Sequence, residues 1–68
     1  MCDAAENSLG NLMRAKVAID EAEKLLKENH LTEYLWKLSE VQREVNGAVH
    51  WSANLISQKA MSLGTPLL

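Results

Sequence analysis

The chain has very few of the residues that crosslink a small fold, break its helices or fill its core with aromatic rings. Among its 68 residues are one cysteine, one proline, three glycines and no phenylalanine, and aromatic residues amount to 4%. The single cysteine, Cys2, excludes a disulfide within the chain and suits a reducing compartment. Because the only proline is Pro66, no proline interrupts the chain before it, and the aliphatic, alanine-rich composition predicts an all-α protein.

An excess of charge of one sign is also missing. Nine acidic and seven basic residues give a net charge of −2 and are mixed along the chain. They form no basic surface for nucleic acid and give little attraction to anionic lipid. No apolar run approaches the roughly 20 residues of a transmembrane helix, and no signal peptide follows Met1. We therefore expect an intracellular protein, cytoplasmic or nuclear, with no stable membrane insertion. An amphipathic helix on a membrane surface is a weaker alternative.

Apolar residues at steps of three and four predict a first helix over about residues 11–29. Every second position of its apolar face is small, which lets a neighbouring helix approach closely. Gly10 weakens a helix, so residues 1–10 are predicted to be loose or frayed. Asn29 tolerates the left-handed conformation that ends helices. The apolar face consists of Leu12, Ala15, Ile19, Ala22 and Leu26.

A second helix is predicted over about residues 32–63. Gly47 could end it, but the apolar spacing continues in phase beyond this glycine. One continuous helix is therefore favoured over a break that would give a three-helix bundle. Gly64 and Pro66 end the helix and leave residues 64–68 as a carboxyl-terminal tail.

The connection between the two helices is short, with Thr32 as the expected N-cap of the second. A short connection makes consecutive helices antiparallel neighbours, so the predicted fold is a helical hairpin with coiled-coil-like packing. The second helix is the longer one, and the part from about residue 49 to residue 63 is expected to extend beyond the first.

The apolar stripes are also wider than two helices can cover. We therefore predict that a partner chain completes the hairpin, and we expect a non-catalytic interaction subunit or scaffold of a larger intracellular complex. A hetero-oligomer is favoured over a homodimer, in which two hairpins would form a four-helix bundle that acts as an adaptor or regulator. The residues predicted to bind the partner are Leu12, Ile19, Leu26, Leu35, Leu38, Val41, Val45, Val49, Leu55 and Ile56.

Trp36, Arg43 and Trp51 lie on a different face of the second helix at a spacing of 100° per residue. One interpretation is that each tryptophan covers the edge of its own hairpin. The other is a second contact surface, because Trp and Arg are favoured at the hot spots of protein interfaces.

Residues that could carry catalysis or bind metal are few and scattered. The soft metal ligands are His30, His50 and Cys2, which lie far apart in the predicted hairpin. The acidic residues alternate with lysine and arginine, as they do on a solvated face. A two-helix chain also has no pocket of its own to enclose a catalytic pair. We therefore expect no metal, no cofactor and no enzymatic activity.

Overall fold

The computed structural model describes residues 3–62, with the side chains of residues 3–59, and forms two long helices there. Helix α1 spans Asp3–Lys27 and helix α2 spans Leu31–Ser62. They pack against each other in antiparallel directions, and the described residues include no strand. This is the all-α helical hairpin that the sequence predicts. The predicted tail over residues 64–68 lies outside the described residues.

The turn after α1 is closed by a left-handed residue, as predicted. Asn29 has a φ of 62°. The N–H of His30 donates to the carbonyl of Leu25 (2.9 Å), and the N–H of Asn29 donates to the carbonyl of Leu26 (3.1 Å). These two bonds form a Schellman motif, which satisfies carbonyl groups that the end of a helix otherwise leaves unpaired.

Helix α2 begins one residue earlier than its predicted cap. The N–H of Tyr34 donates to the carbonyl of His30 (2.9 Å), so the first turn of α2 starts at Leu31. Thr32 therefore lies within that turn, and the prediction that it caps the helix is wrong. The tight Schellman turn brings the chain into helical conformation before Thr32 is reached.

Substitutions of Asn29 measure how much the turn contributes to stability. Glycine adopts a positive φ without the strain that a Cβ causes, so Asn29→Gly should keep or slightly raise the free energy of unfolding. Asn29→Ala should lower it by about 1 kcal/mol, because alanine is strained at this φ. Urea denaturation followed by circular dichroism measures both variants. Equal stability of the two variants would contradict a left-handed requirement at residue 29.

Helix α1 begins earlier than the sequence suggests. Residues 3–10 are helical, whereas a loose or frayed segment was expected there. These turns pack on α2, since Ala4 is buried and the Ser8 hydroxyl lies 3.1 Å from the Ser52 hydroxyl. Packing outweighs the single glycine in this segment, which costs about 1 kcal/mol relative to alanine. As a consequence α1 reaches Ser52, and the expected overhang does not begin at residue 49.

Helix α2 is continuous through Gly47, which confirms the hairpin over the three-helix alternative. The glycine has a packing role, because α1 passes close to it. A Cβ at residue 47 would lie 2.7 Å from Nδ2 of Asn11, and real Cβ atoms essentially never approach a neighbour so closely. The missing side chain at this position therefore lets the two helices of the hairpin come together.

The centre of the hairpin is built from alanines. A buried alanine methyl contributes about 0.8 kcal/mol, whereas a fully buried leucine, isoleucine or valine contributes about 1.5–3 kcal/mol. The larger aliphatic side chains are half-exposed instead, so most of the hydrophobic stabilisation available to this chain is not realised within the hairpin. The buried residues among those described are Ala4, Ala15, Ala18, Ala22 and Ala48.

Candidate protein-binding face

One side of the hairpin carries a continuous apolar surface, which we call the apolar face. Steps of seven residues, and one step of four from Val45 to Val49, keep its members from each helix on the same side. Leu12 of α1 and Val45, Val49 and Ile56 of α2 line one groove, so both helices contribute to this side. Every member is 39–63% exposed. The apolar face consists of Leu12, Ile19 and Leu26 from α1, and Leu31, Leu38, Val45, Val49 and Ile56 from α2.

No second layer of structure covers this face within the described residues. Along its thinnest direction the hairpin extends only 12 Å, whereas the Cα atoms of two stacked layers of helices would extend about 13–15 Å. Globular domains instead bury the apolar stripe of one layer against a second layer. The hairpin is therefore one layer that exposes a stripe of the kind that domains usually bury.

The groove at the open end of the hairpin is lined by small residues as well as large ones. Ser8, Ala48 and Ser52 line it together with Leu12 and Val49. The Ser8 hydroxyl lies 3.4 Å from the carbonyl of Ala48, to which it donates, and 3.1 Å from the Ser52 hydroxyl. Because these polar atoms are paired with each other, the groove can accept a bulky apolar side chain without leaving them unpaired.

The opposite side, which we call the polar side, carries the ion pairs between the helices. Nε of Arg14 lies 3.1 Å from Oε1 of Glu44, and Nζ of Lys37 lies 3.4 Å from Oε1 of Glu21. Lys37 also contacts Oε2 of Glu40 at 3.0 Å. These pairs are partly exposed and individually weak. They nevertheless distinguish the two sides of the hairpin, because the apolar face includes none of them.

The hydrogen bonds and ion pairs of the polar side shift the pKa values of Glu44 and Lys37. The amide of Asn11 donates to Oε1 of Glu44 at 2.8 Å, and this bond, with the nearby Arg14, lowers the pKa of Glu44 below its ordinary value. The hydrogen bond to Glu40, followed by the interaction with Glu21, raises the pKa of Lys37. Oδ1 of Asn11 is buried without a hydrogen-bond partner among the described residues, so this contact is not fully satisfied.

Glu44 should make the stability of the hairpin depend on pH. A carboxyl group whose pKa is lowered in the folded state stabilises the fold above its ordinary pKa, here 4.5, and that contribution is lost as the pH falls through the lowered value. The drop in the free energy of unfolding between pH 7 and pH 3 should therefore be smaller in Glu44→Gln than in the wild type. Urea denaturation at the two pH values measures it, and an unchanged drop would exclude this role of Glu44.

The residues predicted to bind a partner divide into two groups in the structure. Val41 and Leu55 are half-buried in the contact between the helices. The other eight are exposed, and seven of them belong to the apolar face; Leu35 lies at its edge. The sequence placed Leu12, Ala15 and Ile19 in one seam. In the structure these three residues do not share one environment. Ala15 packs inside the hairpin, whereas the larger Leu12 and Ile19 lie exposed beside the contact between the helices.

The second-face candidates also differ from one another. Trp36 is 68% exposed, the largest exposed fraction among the large apolar side chains in the described part of the chain. Trp51 is half-buried and meets the ring of His50 edge to face, with centroids 5.1 Å apart. Arg43 is exposed. Trp51 therefore partly covers its own hairpin, and Trp36 does so much less.

Similarity to known proteins adds no further assignment. The chain matches no known protein-family model, no curated protein and no solved structure. Within residues 3–62 there is no cluster of three or more histidine, cysteine, aspartate or glutamate side chains that could hold a metal ion. Neither described helix is both long and apolar enough to cross a membrane.

Proposed function

We propose that this chain is a non-catalytic interaction subunit of a larger intracellular complex, in which its apolar face packs against helices of a protein partner. The observation that carries the proposal is the distribution of side chains over the hairpin. Alanines hold α1 and α2 together, and the large aliphatic residues remain exposed on one side. A contiguous exposed apolar patch is typical of a protein-binding surface.

The form of the surface supports a helical partner. The apolar side chains recur at steps of seven along α1 and at steps of seven and four along α2, which is the spacing that accepts side chains from a facing helix. The groove lined by Ser8, Ala48 and Ser52 provides a recess between larger side chains at one end. A leucine or an aromatic residue of the partner would fill this recess and serve as an interface anchor.

Two valines on opposite sides provide a matched test of this function. Val49 of the apolar face is 63% exposed, and Val17 on the polar side is 59% exposed. Val17 lines a hollow with Arg14 and Glu40. Because both valines are exposed positions within helices, replacement of either one by glutamate should affect the isolated hairpin to a similar and small extent. Only Val49→Glu places a charge in the proposed interface, where an unpaired charge is strongly unfavourable.

The experiment compares proteins captured from cells with the tagged wild-type chain, Val49→Glu and Val17→Glu. We expect a specific set of proteins with the wild type, the same set with Val17→Glu, and loss of at least tenfold of that set with Val49→Glu. Circular dichroism of the purified variants checks that both remain helical. Equal capture by the two variants would contradict binding through the apolar face.

A second contact surface at Trp36 belongs to the same proposal, because its indole is the most exposed of the large apolar side chains. Arg43, seven residues further along α2, is also exposed, and tryptophan and arginine are both enriched at the hot spots of protein interfaces. In the capture experiment Trp36→Ala should remove proteins other than those that Val49→Glu removes. If Trp36→Ala removes none, the apolar face is sufficient for all of the captured partners.

A further inference from the structure

We propose that one partner of the apolar face is a second copy of this chain, packed with its turn at the opposite end, so that two hairpins form an antiparallel four-helix bundle. The two-fold axis of the bundle lies between the two copies, perpendicular to their helices, at the level of Ile19 and Leu38. This inference deepens the proposed function, on which it rests, by assigning one helical partner and its orientation. It derives from the symmetry of the apolar face and from the charges at its edge.

The apolar face is symmetric about Ile19 and Leu38. On α1, Leu12 precedes Ile19 by seven residues and Leu26 follows it by seven. On α2, Leu31 and Val45 flank Leu38 in the same way. A two-fold axis perpendicular to the helices at this level therefore brings large aliphatic side chains of one copy against large aliphatic side chains of the other. This self-complementarity is what a closed, isologous interface requires.

Ile19 and Leu38 lie at nearly the same height along the hairpin, which a single two-fold axis at both centres requires. The ion pair between Glu21 and Lys37, at 3.4 Å, places these two residues side by side. Ile19 lies two residues before Glu21, and Leu38 lies one residue after Lys37 on the antiparallel helix. The two centres therefore differ in height by about one residue, or ~1.5 Å.

Charges at the edge of the face fix the orientation of the second copy. Lys16 and Glu23 lie on the outer edge of α1, three residues before and four residues after Ile19, and both are exposed. Neither makes an ion pair within the described part of the chain. In the antiparallel bundle α1 faces α1 of the second copy, so Lys16 lies opposite the partner's Glu23 and Glu23 lies opposite the partner's Lys16. Such flanking pairs set the orientation of helices in coiled coils.

The other symmetric arrangement does not use these charges. If the two turns lay at the same end, α1 would face α2 of the second copy, whose matching edge positions are Leu35 and Gln42. Neither residue carries a charge that could form an ion pair with Lys16 or Glu23. The antiparallel arrangement covers the groove only as far as Leu12 and Val45 and leaves its outer part, at Val49, Ser52 and Ile56, uncovered, because the axis lies nearer the turn. A different protein can therefore bind at Val49 while the second copy occupies the region around Ile19 and Leu38.

Charge-reversal variants of Lys16 and Glu23 test the proposed dimer directly. The purified 68-residue chain should sediment as a dimer at about 100 µM and dissociate on dilution. Lys16→Glu and Glu23→Lys should each weaken dimerisation about tenfold, because each creates two like-charge contacts per dimer. The Lys16→Glu/Glu23→Lys double variant should restore dimerisation. An equimolar mixture of the two single variants should form a heterodimer, since every edge contact then joins opposite charges.

Lys24→Glu is the matched control for these variants. Lys16 and Lys24 each lie four residues from Asp20. Because Lys24 also lies in the last turn of α1, its reversal should destabilise α1 itself at least as much as reversal of Lys16. Lys24 lies on the polar side, so its reversal should leave the dimer unchanged. A wild-type chain that stays monomeric at 100 µM, or a dimer that is indifferent to both reversals, would overturn the proposal. Loss of cellular partners in Val49→Glu would still support the proposed function in that case.

Discussion

Ala18→Leu should destabilise the isolated hairpin by about 1–3 kcal/mol, the usual cost of overpacking a close contact. Ala18 is 2% exposed and lies in the alanine contact between α1 and α2. A leucine there adds three carbon atoms at a position that is already almost fully buried, so the helices must separate and release the other buried alanines. Urea denaturation of the purified variant, followed by circular dichroism, measures the loss.

A leucine elsewhere on the same helix controls for the change of residue type. Ala5 also lies in α1 but is exposed, and alanine and leucine have similar helix propensities. Ala5→Leu should therefore change the free energy of unfolding by less than about 0.5 kcal/mol. Similar losses in the two variants would show that the alanines do not form the contact between the helices.

Gly47→Leu should destabilise the hairpin by about 2–3 kcal/mol, even though leucine favours helix far more than glycine does. The first carbon of any side chain at this position already lies 2.7 Å from Nδ2 of Asn11. A leucine must therefore displace the Asn11 amide and break its 2.8 Å hydrogen bond to Glu44. The same urea denaturation measures the loss, and a stabilised Gly47→Leu variant would exclude a close approach of the two helices at this glycine.

A double-mutant cycle separates the contact from the helix propensity. In the Asn11→Ala background the amide is absent, so Gly47→Ala should raise the free energy of unfolding by up to about 1 kcal/mol, the helix propensity of alanine over glycine. In the wild-type background the same change should gain less, because the Asn11 amide must move. Additive effects in the cycle would mean that the two residues do not interact.

Several elements followed directly from local patterns in the sequence. The two helices, the left-handed Asn29 and the uninterrupted passage through Gly47 were all predictable from apolar spacing and from residues with specific backbone preferences. The start of α1 was not predictable in this way. Residues 3–10 are helical because Ala4 and Ser8 pack on residues of α2 that are distant in the sequence.

The candidate site was predictable in its residues but not in its arrangement. Periodicity placed large and small apolar residues of α1 in a single stripe, because they share a helical face about 100° wide. How that stripe divides depends on where the second helix sits. In the structure α2 lies against the alanines, and the larger Leu12, Ile19 and Leu26 are left at the flank.

The sequence by itself determined that this chain is a pair of long amphipathic helices joined by a short turn. Those properties depend on spacing, capping and chain length, which act over a few residues. Only the tertiary structure decided that alanines, with Gly47 against Asn11, form the contact inside the hairpin. The physical reason is that small side chains allow the helices the closest approach, and the large ones then remain on the outside, where another chain can bury them.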